Sequence, residues 1–89
     1  MDIFIDHPAL EEFIAAQQRQ ELNDLIKTYL RNGQDYAFYN RAIHPANLTM
    51  LKGMGVDVYY RDDYKSNIIS LVEYDQIKHV VEDGNYVLA

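Results

Sequence analysis

Val56-Asp57-Val58-Tyr59-Tyr60-Arg61, followed after six residues by Ile68-Ile69-Ser70-Leu71-Val72, is the stretch on which the fold turns. The first run alternates, with Val56, Val58 and Tyr60 on one face and Asp57, Tyr59 and Arg61 on the other. The second is a short apolar run rich in β-branched residues, and Asp62-Asp63-Tyr64-Lys65-Ser66-Asn67 between them is polar and turn-like. Together they read as a β-hairpin, so the helical patterns on either side belong to a mixed fold.

Towards the N-terminus, Leu10, Phe13 and Ile14, then Leu22, Leu25, Ile26, Tyr29 and Leu30, recur at three- and four-residue spacing, as an amphipathic helix requires. In Ile5-Asp6-His7-Pro8-Ala9-Leu10, Asp6 can cap, Pro8 suits the first turn and Ile5 can staple onto Leu10. Gly33, after Arg31-Asn32, supplies the stop. The apolar stripe fades across Ala15-Ala16-Gln17-Gln18-Arg19-Gln20, but nothing there breaks a helix. The pattern therefore predicts one helix over 8–31, about 36 Å long and straight or slightly bent, with two helices meeting near Gln18 as the alternative.

Asp35-Tyr36-Ala37-Phe38-Tyr39-Asn40-Arg41 is aromatic-rich and follows Asn32-Gly33, which suits a strand. Ile43-His44-Pro45-Ala46-Asn47-Leu48 repeats the helix-start chemistry, with His44 or its neighbour at the cap and Pro45 just inside. A short helix over 45–53 follows, with Leu48 and Leu51 inward and Gly53-Met54-Gly55 turning the chain into the hairpin. Beyond the hairpin, Tyr74, Ile77, Val80 and Val81 mark a last helix closed by Gly84, and Asn85-Tyr86-Val87-Leu88 is read as a short terminal strand. The order α, β, α, β, β, α, β defines an α+β class. We expect a small antiparallel or mixed sheet of three to four strands, with a long N-terminal helix and two short helices packed on it, on one face.

At 89 residues the chain has room for one core and is read as a single domain. With 48% hydrophobic and 25% charged residues it has the composition of a folded protein, and intrinsic disorder is disfavoured. There is no cysteine, hence no disulfide to supplement a small core, and a homo-oligomer is a reasonable supplement. Met1-Asp2-Ile3-Phe4-Ile5-Asp6 has no basic region and too short an apolar run for a signal peptide, and no stretch has the length of a membrane span. The expectation is a cytoplasmic protein, in the host cytoplasm if viral, that does not engage membranes.

The net charge of −6 is unevenly placed: residues 1–18 carry four acids and no base, whereas residues 19–52 carry five bases against three acids. Residues 53–89 carry seven acids against three bases. An acidic balance repels phosphate backbones, so direct nucleic-acid binding is not expected, while a basic surface on a protein partner would be attracted.

Catalytic patterns are missing. His7, His44 and His79 are dispersed rather than spaced as metal ligands, and Asp62-Asp63 lacks the alternating acids, central glycine and distal glutamate of a calcium loop. Ser66 and Ser70 sit in no nucleophile elbow, and Gly53-Met54-Gly55 follows a helix where a phosphate loop would precede one. We therefore expect no enzyme, no metal and no cofactor. The unusual feature is eight tyrosines without a tryptophan, and tyrosine is favoured at interfaces because it has both an apolar body and a polar tip. If Tyr36 and Tyr60 face the core, Tyr39 and Tyr59 point away from it on adjacent strands, flanked by Arg41, Asp57 and Arg61. With Asp62, Asp63 and Tyr64 of the hairpin tip they form the expected partner-binding patch. The competing reading packs these tyrosines under a second helix layer.

The segment Leu25 to Leu71 resembles small bacteriophage-encoded accessory proteins. The residues that carry the resemblance are a helix ending in Asn32-Gly33, an aromatic strand, a short helix ending Leu51-Lys52-Gly53-Met54-Gly55, then Val56-Asp57-Val58-Tyr59 and a closing strand. It covers about half the chain and implies a phage product, a class in which host-directed inhibitors, anti-defence proteins and minor structural components are frequent. The functional expectation is a non-enzymatic protein-binding module, a phage inhibitor of a host or anti-phage defence factor. It would act through an acidic, tyrosine-bearing surface on a basic or nucleic-acid-binding host protein. The alternatives are a self-assembling structural or scaffold protein, and an oligomer that binds a small ligand such as a nucleotide.

Overall fold

The computed structural model describes residues 8–61 and 65–89. The first helix is continuous: α1 (Pro8–Leu25) runs directly into a π-helical turn, Ile26–Leu30, whose wider, five-residue turn is marked by the Arg31 N–H donating to Ile26 O at 2.9 Å. The expected single helix is thus present, with its irregularity eight residues beyond Gln18 rather than at it. Gly33 leaves the helix at φ +106°, a conformation open to glycine and costly for residues with a Cβ. The capping and staple roles assigned to Asp6 and Ile5 fall outside the described residues.

Then come β1 (Tyr36–Tyr39), α2 (Pro45–Gly53), β2 (Asp57–Arg61), β3 (Ser66–Ser70), α3 (Tyr74–Asp83) and β4 (Val87–Leu88). His44 is the N-cap of α2, its Nδ1 accepting from the Ala46 N–H at 3.1 Å, and Pro45 occupies the first turn. The hairpin of β2 and β3 forms, but Ser66 and Asn67, expected in its turn, belong to β3. Asn67 is drawn into the sheet because its Nδ2 donates to the carbonyls of Tyr39 and Arg41, and this fastens the end of β1.

The sheet has four strands in the order β1-β3-β2-β4, with every neighbouring pair antiparallel. Its two faces carry different cores. Ala37, Val58 and Ile69 face Leu22, Ile26 and Leu30 of the first helix and Leu51 of α2. Tyr59 and Ile68 face the other way, against Ile77 and Val81 of α3 and against Tyr86. Helices therefore cover both faces, not the single face expected. The reason is written in the central strands: Val58 and Tyr59 are both buried, as are Ile68 and Ile69, and a strand apolar on both sides needs a cover on each.

Gly84 does not end α3 through a left-handed turn. Its φ is −89°, and Asn85 takes the left-handed conformation at φ +57°, which asparagine tolerates better than most residues. What Gly84 provides is space: a Cβ there would stand 3.0 Å from Cε1 of the buried Tyr86 ring.

Candidate functional site

The expected patch is divided by the sheet. Tyr39 and Tyr60 both lie opposite Asn67, whereas Phe38 and Tyr59 both lie opposite Ile68. Directly opposed residues share a face, so Tyr39 and Tyr59 project to opposite sides of the sheet, as do Tyr36 and Tyr60. β3 intervenes between β1 and β2, which the sequence order does not reveal.

Tyr39 sits on the α1 side, its hydroxyl donating to Glu21 Oε1 at 2.8 Å, and Arg41 Nη1 grips both oxygens of the same carboxylate at 2.8 and 2.9 Å. Burial first, and the Glu21 carboxylate second, push the Tyr39 phenol up to about 12. Tyr59 is 3% exposed under α3, and burial, followed by the charge of Asp57, raises its pKa. Arg61 lies 5.0 Å over the Tyr86 ring and its Nη1 donates to Gly84 O at 3.4 Å, so it ties β2 to the end of α3. Asp62, Asp63 and Tyr64 fall outside the described residues. Of the expected partner-binding residues, Asp57, Tyr59 and Arg61 share the α3 side, Tyr39 stands across the sheet, and no single described surface holds them all.

A buried polar junction instead organises the N-terminal half. The Gln18 side chain is 6% exposed. Its Nε2 donates to Ala42 O at 2.8 Å, and its Oε1 accepts from the His44 N–H at 2.8 Å and from Asn47 Nδ2 at 3.1 Å. Asn47, fully buried, also donates to Ala15 O at 2.9 Å. These bonds hold α1 against the start of α2 through groups too deep for bulk water to satisfy.

Two exposed features remain. Leu10, Phe13 and Ile14 of α1 are 43, 58 and 47% exposed. At 100° per residue their stripe lies roughly 130° around the helix from the row of Ala15, Gln18, Leu22 and Ile26 that meets the core. The residues expected to begin the core stripe thus form a separate apolar face, while the exposed Glu11 and Glu12 lie on the other side of the helix, Glu11 3.7 Å from His44 Nε2. The second feature is the outer edge of β1, where Phe38 is 52% exposed and meets Tyr36 edge-to-face at a centroid distance of 5.7 Å. On the other side of that edge a shallow groove runs between the π-helical turn and the strand, lined by Leu25, Tyr29, Gly33 and Ala37 among others.

A small apolar pocket between α2 and β2, lined by Leu48, Val58 and Tyr60 among others, holds about 190 Å³, below the roughly 300 to 1,000 Å³ of drug-sized ligand sites. Among the described residues no three His, Asp or Glu converge to hold a metal ion, and no helix is long and apolar enough to cross a membrane. No protein-family model matches the chain, and comparisons with curated proteins and with solved structures likewise give no match.

Proposed function

We propose that the chain is a non-enzymatic protein-binding module whose contact element is the first half of α1, presented to an apolar groove with a basic rim on its partner. The observation that carries this reading is the exposed row Leu10, Phe13 and Ile14. These are anchors one turn apart on a helix, the arrangement by which amphipathic helices seat in grooves. Glu11 and Glu12 lie on the other side of the helix, Glu11 3.7 Å from His44 Nε2, but residues 1–18 together hold four acids and no base, so a cationic rim would steer the encounter. The resemblance of Leu25 to Leu71 to phage accessory proteins supports a host or anti-phage defence factor as the target. The net charge of −6 speaks against a nucleic-acid backbone as the direct ligand.

The test is capture from bacterial lysate with wild-type protein and with Phe13→Ser/Ile14→Ser, after a melt has shown that the variant is folded. Both side chains lie outside the core, so the fold should hold, and a partner seated on this face should bind about a hundredfold more weakly. A companion variant, Glu11→Lys/Glu12→Lys, takes the net charge from −6 to about −2 and should slow association and weaken its dependence on salt. Equal recovery of every partner by all three proteins removes the helix face as the contact.

A further inference from the structure

Among the described residues, the outer edge of β1 carries no partner strand. Its ladder with β3 sets which backbone groups point where: Leu71 N–H donates to Asp35 O at 3.1 Å, and Ala37 and Tyr39 lie opposite Ile69 and Asn67. In an antiparallel ladder the residues that exchange hydrogen bonds alternate, so Asp35, Ala37 and Tyr39 direct their N–H and C=O groups to β3. Tyr36 and Phe38 direct theirs outward. β1 closes one end of the strand order, and among the described residues nothing pairs with that side.

We infer that two copies of this chain join through β1 in antiparallel register about a two-fold axis at Ala37, giving a continuous eight-stranded sheet. In this register Tyr36 of each copy lies opposite Phe38 of the other, the outward groups form four new N–H···O bonds, and the two Ala37 residues face each other as a non-hydrogen-bonded pair. Such pairs are the close ones, with Cα atoms about 4.5 Å apart, and alanine is the side chain that tolerates the approach. On the α3 side, Tyr36 and Phe38 form two cross-strand aromatic pairs, which stabilise antiparallel strands beyond the backbone bonds. On the other side the two grooves beside Leu25 and Tyr29 meet across the axis and each Tyr29, 50% exposed, has the other copy's groove to fill.

The edge also lacks the usual protections: Tyr36-Ala37-Phe38-Tyr39 contains no lysine, proline or bulge, and only its shortness restrains pairing. A self-paired β1 closes with the two-fold and stops at a dimer, whereas β1 on the two-residue β4 of a neighbour would propagate openly. Four backbone bonds and four aromatic rings make a reversible dimer of micromolar strength rather than an obligate one.

Sedimentation of the full chain from about 5 to 500 µM should show a monomer–dimer equilibrium, which Phe38→Lys shifts towards monomer by at least about tenfold in dissociation constant. Phe38 is exposed, so the variant keeps its fold. Register is read from cysteines, because the chain has none of its own. Under mild oxidation, Tyr36→Cys mixed with Phe38→Cys should give a mixed disulfide, since directly opposed hydrogen-bonded residues sit about 5.5 Å apart, within disulfide range. Neither variant alone should cross-link at a comparable rate. A monomer throughout the range overturns the inference. So does a dimer that Phe38→Lys leaves intact, or one lost instead on Phe13→Ser/Ile14→Ser, which would place the contact on α1.

Discussion

Replacing Gln18 by alanine tests the polar junction that seats α1 on α2. The side chain makes three hydrogen bonds, to Ala42 O, from the His44 N–H and from Asn47 Nδ2, at 2.8 to 3.1 Å. At a net worth of about 1 kcal/mol each, with further cost for donors and acceptors stranded away from water, the loss comes to about 3 to 4 kcal/mol. For a domain of this size each kcal/mol corresponds to about 4 to 8 °C, so the melting temperature should fall by at least about 12 °C. Gln18→Leu separates the polar from the steric contribution: it refills most of the volume but restores no hydrogen bond, and should still cost about 3 kcal/mol. Urea unfolding followed by far-ultraviolet dichroism measures all of these, and the double variant with Asn47→Ala completes a cycle. Because Gln18 and Asn47 share one bond and pack in the same buried junction, the cycle should show a coupling of about 1 kcal/mol. A loss below about 1 kcal/mol for Gln18→Ala, or strict additivity with Asn47→Ala, would refute the idea that these groups act as one buried network.

Two further outcomes follow from single contacts. Gly84→Ala sets a methyl group 3.0 Å from the Tyr86 ring, and the ring is held by a 2.7 Å hydrogen bond between its hydroxyl and Ser66 Oγ, so the overpacked variant should lose about 1 to 2 kcal/mol in a thermal melt; an unchanged melt would mean that the ring moves aside freely. Tyr39 should make stability fall with alkaline pH. Its phenol holds its proton more tightly in the folded chain, with a pKa near 12, than in the unfolded chain, with a pKa near 10. Its contribution is therefore complete below about pH 10 and lost as the pH rises towards 12. Tyr59 and Tyr74 are raised as well, so Tyr39→Phe should flatten the decline without abolishing it, and parallel pH profiles for the two proteins would show that the Tyr39 phenol has no such effect.

The elements themselves were legible because each is a local pattern. Leu22, Leu25, Ile26 and Leu30 state a helix by spacing alone, and His44-Pro45 states a helix start by the chemistry of a missing N–H and a capping nitrogen. The alternation of Val56 to Arg61 states a strand in the same way. The candidate surfaces were legible only in part. Leu10, Phe13 and Ile14 have the same spacing as the core residues that follow, and periodicity cannot say which stripe another element will cover. Asp35 to Arg41 was recognisable as an aromatic strand, but not as an edge, since that depends on β3 arriving between β1 and β2.

Gln18 marks the boundary most plainly. Read along the chain it belongs to a gap in the apolar stripe, yet in space it is 6% exposed, because its partners Ala42, His44 and Asn47 come from 24 to 29 residues away. What the sequence by itself determined was the kind and order of the elements, the acidic balance and the absence of cysteine chemistry. Which faces those elements bury, that Tyr39 and Tyr59 stand on opposite sides of the sheet, and that β1 ends the described strand order were decided by the tertiary structure alone. Propensity and periodicity act over one or two turns of chain. Register and strand order arise from contacts between segments that only the folded chain brings together, and a register shift of one residue reverses every side chain on a strand.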